Sequence, residues 1–278
     1  MLAQSLTFFV NWFANPNFVA MGLAIVFGLL WYALYRPPLR GYAFLWGVMA
    51  VSAILTLLAV AFIQIPLQAL TGQLLVLAFD QATIVKWLFF LGLPQILLSG
   101  FVQEGAKMLP MVFIWQRAER NISPVVGIVL GAAAGAGFGV FEAMWAHNQV
   151  FAAGFTWASV EAGGFPAILP FWERFFAVGG HVAFSALAGY GLAKDKGWLF
   201  FLIAAGLHSL MNYTVVLLQA QLITVMTLEI LVAVAAVGAT VWALVLRYGG
   251  EGAAPWSRGG YRRRLHLGKE PSEYAKQQ

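Results

Sequence analysis

Five residues of this chain have the types needed for hydrolysis: Glu104, Glu142, His181, His208 and Asn212. Each lies in a strongly apolar stretch. In "LSGFVQEGAKMLPMVF", Leu98 to Phe113, Gln103, Glu104 and Lys107 fall within about one helical turn. An ionisable side chain at the centre of a bilayer costs roughly 2.5–3.5 kcal/mol on insertion scales, so it requires a partner, a water-filled cavity or a function. A glutamate can take a proton from water, a histidine can protonate a leaving amine, and an asparagine amide can hold an oxyanion. Two carboxylates, two imidazoles and an amide at similar depth suggest a hydrolytic site. The plainer reading of Glu104 is mutual neutralisation with Lys107, three residues on.

Such a site requires helices that cross a membrane. The chain has 278 residues, 61% of them hydrophobic and 10% charged, and its mean hydropathy is +0.80. That is too little polar surface to cover a soluble globule. We expect an all-α polytopic bundle over residues 1–248 and a flexible basic tail over 249–278. About 20 apolar residues span the hydrocarbon as a helix. Stretches near 16–35, 42–64, 94–115, 124–147, 173–193, 198–219 and 225–246 qualify, giving about seven spans. Residues 2–14 and 66–79 are too short to span and read as interfacial or re-entrant helices, and Pro94 is placed to break the third span. There are no cysteines, which excludes a disulfide framework and thiolate chemistry.

Basic residues set the orientation. Arg36, Arg40, Arg117, Arg120, Lys194, Lys196, Arg247 and the tail fall on one side if the N-terminus lies outside. Lys86 and Arg174 are left on the other side, and Lys107 within the membrane. The positive-inside rule then makes the N-terminus external and the C-terminus cytoplasmic. The basic tail fits an anionic lipid surface better than nucleic acid.

The spans carry the candidates on distinct faces. In the fourth, Gly127, Gly131, Gly135 and Gly139 recur every fourth residue, a smooth face for close helix packing that ends one turn before Glu142. In the fifth, Ser185 and Gly189 follow His181 at four-residue steps, and Arg174 precedes it by two turns on about the same face. In the sixth, His208 and Asn212 lie four apart on one face. His147 and Asn148 read as interface residues, and Glu229 as the mark of an outer helix end or, alternatively, as another buried acid.

These motifs resemble those of the PrsW/YhfC-type intramembrane proteases, part of the glutamate-dependent superfamily that includes the CAAX prenyl endopeptidases. "QEGAK" at 103–107, "GFGVFEA" at 137–143, "ER" at 173–174 with "HVAFS" at 181–185, and "LHSLMN" at 207–212 follow the family's order and spacing. The resemblance covers about residues 84–220. It implies hydrolysis of a peptide bond in a membrane-embedded protein or peptide, in a bacterial cytoplasmic (inner) membrane. It assigns Glu104, Glu142, His181, His208 and Asn212 to the catalytic positions, with Gln103, Lys107 and Arg174 in support. Gln103 stands where the family pattern has the first of two glutamates, and an amide cannot act as a base. Glu104 or Glu142 then takes that role, or the chain is a scaffold that binds membrane proteins without cutting. A proton-coupled transporter using Glu104, Lys107 and His181 is a third reading. With no H-E-x-x-H signature in the sequence, the expectation is a site without a cofactor, zinc being the possible but less favoured alternative.

Overall fold

The computed structural model describes residues 16–38 and 43–249, with a few isolated positions between 6 and 14. The expected helix over 2–14 and the tail from 250 onward lie outside the described residues. The described chain is all-helical. Helix α1 is Phe18–Ala33, α2 Phe44–Ala59 and α3 Ile65–Ala78; a π-helical turn, Val60–Gln64, joins α2 to α3. The short α4 (Gln81–Lys86) and α5 (Leu88–Leu91) lead into α6 (Leu93–Arg117). Then come α7 (Pro124–Ala152), a short α8 (Trp157–Gly163), a 3-10 turn (Phe165–Ile168), α9 (Leu169–Ala193), α10 (Gly197–Gln219) and α11 (Val225–Tyr248).

Among the described residues six helices are long and apolar enough to cross a membrane, and α1, with 16 residues, is shorter than these. The Asn17 side chain caps α1 at one end by accepting from Val19 and Ala20 N–H, and Arg36 turns the chain through a positive φ (42°) just beyond the other. One expectation is corrected. Residues 66–79 do not form a separate interfacial piece, because the apolar helix runs on from Phe44 to Ala78. Pro66 lacks an N–H and would crowd the turn before it, and the wider π turn at Val60–Gln64 lets the chain continue. The apolar run that starts near Ile84 is interrupted at Pro94, as expected: α5 ends at Leu91, Gly92 is a turn, and Pro94 opens α6 in its first turn, where no N–H is needed.

Helices α7 and α9 form the centre, packed against each other more extensively than any other pair. Their contact is made by backbone. A Cβ on Gly127, Gly131 or Gly135 would collide with the carbonyl oxygen of Gly189, Ser185 or His181 respectively. The glycine stripe therefore presses α7 onto the face of α9 that carries Ser185 and His181. Gly100 of α6 does the same against Ala205 and Ser209 of α10, four residues before Glu104 and beside His208. The other helices surround this pair, with many large apolar side chains on the outside, including Leu77, Trp198 and Val234. That is the surface expected of helices solvated by lipid.

Candidate metal and hydrolytic centre

Glu104 comes from the middle of α6, His181 from α9 and His208 from α10; all three are buried, at 0%, 1% and 1% exposure. His208 Nδ1 lies 2.8 Å from Glu104 Oε1. Ser185 Oγ, one turn after His181, donates to Glu104 Oε2 at 3.1 Å. The two imidazole rings meet edge to face with centroids 4.9 Å apart. One ligand atom from each of Glu104, His181 and His208 falls within 4.8 Å of the others. Two imidazoles and a carboxylate are the donor set of a zinc centre with three protein ligands.

Lys107 Nζ completes this group. It donates to Glu104 Oε1 and lies 3.1 Å from His181 Nδ1. An ammonium only donates, so His181 Nδ1 carries the lone pair and Nε2 the proton. Nε2 faces Glu142 Oε2 at 2.9 Å. A histidine held by a carboxylate through one nitrogen while the other faces inward is the usual arrangement around a metal-ligating imidazole. Arg174 Nη1 donates to the same Glu142 oxygen at 3.1 Å and pairs with Glu173 through Nε and Nη2. The side chains of Glu142 and Arg174 are each 21% exposed, so this end of the group is less enclosed than the Glu104 end.

Not every candidate joins this group. Asn212 Nδ2 donates to Ser99 Oγ at 2.9 Å. Gln103 Nε2 donates to Gln64 Oε1 at 3.1 Å and to Ser99 Oγ at 3.4 Å. The chain of amides continues from Gln64 to Gln68 and then to the Gln95 carbonyl oxygen. Gln103 and Asn212 thus belong to a second polar layer beside the first. At Gln103 the network uses an N–H donor, which a carboxylate lacks.

Several participants escaped the sequence reading. Ser99 and Gln64 carry no pattern of their own, although Gln64 ends the π turn just before Pro66. Glu229, expected as an outer helix end or as another buried acid, lies near the start of α11 and is 5% exposed, with Oε2 lacking a hydrogen-bond partner and the charges of Glu173 and Arg174 acting on it. His147 is fully enclosed rather than interfacial. Its Nδ1 sits 3.4 Å from the Ala20 carbonyl oxygen, and Phe27 and Phe171 pack on its ring. Asn148 Oδ1 accepts from the Asn17 N–H at 2.9 Å.

No curated protein and no solved structure matches the chain significantly. The profile of the family described as "PrsW family intramembrane metalloprotease" matches residues 37–242. That description and the buried Glu104–His181–His208 donor set overturn the expectation of a site without a cofactor, since both point to a metal ion such as zinc. The H-E-x-x-H signature puts two histidines on one helix, whereas here the three groups that could hold an ion come from three helices. With the match spanning most of its length and all four motif segments, this chain belongs to the PrsW family of intramembrane metalloproteases.

Proposed function

We propose that the chain hydrolyses a peptide bond of a membrane-embedded protein or peptide at the Glu104–His181–His208 centre. The observation that carries this reading is the enclosure of one carboxylate and two imidazoles within 4.8 Å, inside a bundle of apolar helices. Glu104, His181 and His208 would hold the ion. A zinc ion bound there supplies Lewis acidity to the scissile carbonyl and to the attacking water.

The remaining roles fall to protein groups. Glu142 holds the His181 ring so that Nδ1 keeps its lone pair directed inward. Being the less enclosed of the two carboxylates, it also links the His181 Nε2 proton to the more open end of the group. Arg174 fixes Glu142 by sharing its Oε2 with His181. Ser185 fixes Glu104 through its second oxygen. Lys107 keeps Glu104 and His181 together when no ion is bound, and withdraws from Nδ1 when that lone pair is used. Asn212 and Gln103 act as positioning residues, tying α10 and α6 together through Ser99.

The positive-inside pattern supports an external N-terminus and a cytoplasmic C-terminus, and the family resemblance favours a bacterial inner membrane. The reading is tested in proteoliposomes carrying tagged single-span peptides, with zinc content measured alongside cleavage. Wild type should cut, lose activity to a chelator and regain it with zinc, while Glu104→Gln and His181→Ala lose both zinc and cleavage. Cleavage at the wild-type rate in Glu104→Gln would refute the assignment.

A further inference from the structure

Away from this centre, the ends of α1 and α11 meet in a cluster of polar groups, some of which lack partners. Tyr248, the last residue of α11, donates its hydroxyl to the Leu34 carbonyl oxygen at 3.1 Å. Two guanidinium groups flank its ring, that of Arg36 at 5.6 Å and that of Arg247 at 5.1 Å from the centroid. Arg247 is 6% exposed, and its Nε and Nη1 are enclosed without an acceptor. The Tyr32 hydroxyl, close enough to feel the Arg247 charge, is likewise enclosed and unpartnered. Among the described residues no carboxylate pairs with either arginine.

A buried guanidinium with unused donors is costly unless an anion meets it. Arginine recognises phosphate through paired N–H groups, and here two arginines lie against one tyrosine ring. The same helix end presents a shallow, open apolar groove along Val241, Leu244, Val245, Tyr248 and Gly249. An apolar groove that ends at two cations matches a molecule with an acyl chain and an anionic head. The positive-inside orientation would place it at the leaflet that holds anionic lipid.

We propose that Tyr32, Arg36, Arg247 and Tyr248, with the adjoining groove on α11, bind one membrane phospholipid with its phosphate on the two guanidiniums. The site is separate from the Glu104–His181–His208 centre, and its test needs no protease activity. The full chain is purified in detergent and titrated with dioleoyl phosphatidylglycerol, dioleoylglycerol or inorganic phosphate, and bound molecules are counted by native mass spectrometry. Wild type should take up one phosphatidylglycerol saturably and neither of the other two probes. Arg247→Gln and Arg36→Gln should each weaken that binding about tenfold or more. Arg36 is exposed, so its variant keeps the test decisive if Arg247→Gln fails to fold. Unchanged affinity in both variants overturns the site. Equal binding of dioleoylglycerol overturns the role of the phosphate, and equal binding of inorganic phosphate overturns the lipid.

Discussion

Lys107 Nζ touches Glu104 Oε1 and His181 Nδ1, two of the atoms available to an ion. Its positive charge competes with that ion for the same electron pairs. Like charges about 4 Å apart repel by several kcal/mol even at an effective dielectric of about 20. Lys107→Met should therefore raise zinc affinity by about tenfold or more, measured by titration against a chelating dye. The same change should destabilise the metal-free protein by about 3–5 kcal/mol, because it leaves Glu104 buried without its cation. Unchanged zinc affinity would show that the ammonium is no competitor. Gln103 provides a second test. Gln103→Glu puts a carboxylate against the acceptor Gln64 Oε1 in a buried layer, so melting should shift downward with no gain in peptide cleavage. Cleavage appearing only in that variant would revive the scaffold reading. Glu104, Lys107 and His181 stood out in the sequence because charge and imidazole are conspicuous in apolar helices. Ser99 and Gln64 did not, since a serine or an amide in such a helix has many ordinary uses.

At the scale of helices, the site depends on how closely α7 approaches α9. Gly135 faces the His181 carbonyl oxygen and Gly131 faces that of Ser185. A side chain at either position has to push the two backbones apart, and with them His181 and Ser185. Gly135→Val should cost about 1–3 kcal/mol or more, and it should lower zinc occupancy in whatever fraction still folds. Gly206→Ala on α10 is the control, because a Cβ there meets nothing within 4 Å. Equal melting temperatures and zinc content for the two variants would refute this account. The four-residue glycine spacing announced a packing face without naming its partner. The π turn at Val60–Gln64 was not legible at all, since Pro66 is equally compatible with a broken helix.

At the scale of the molecule, orientation is open to a direct test because the chain has no cysteines. Asn121→Cys, in the turn between α6 and α7, and Ala153→Cys, just past the end of α7, are both at exposed positions. A membrane-impermeant maleimide applied to intact cells should label Ala153→Cys, and should reach Asn121→Cys only after the membrane is opened. The opposite pattern would invert the proposed topology. The two positions bracket one 29-residue helix, so labelling of both from outside would also contradict a spanning α7.

Composition and apolar periodicity point to the class of molecule and to its candidate polar groups. Few charges and long apolar stretches leave a helical membrane bundle as the solution, because backbone N–H and C=O groups in lipid must pair within each segment. The same apolar background singles out Glu104, Glu142, His181 and His208. Tertiary structure decided the grouping. Periodicity fixes which face of a helix a residue occupies, but not which helix that face meets. Contact between three helices puts Glu104, His181 and His208 into one donor set, moves Gln103 and Asn212 into a neighbouring layer, and encloses Glu229 within reach of the Glu173 and Arg174 charges. The metal expectation changed for that reason. Three ligands on three separate helices have no local spacing to read, and the donor set exists only once the helices are packed.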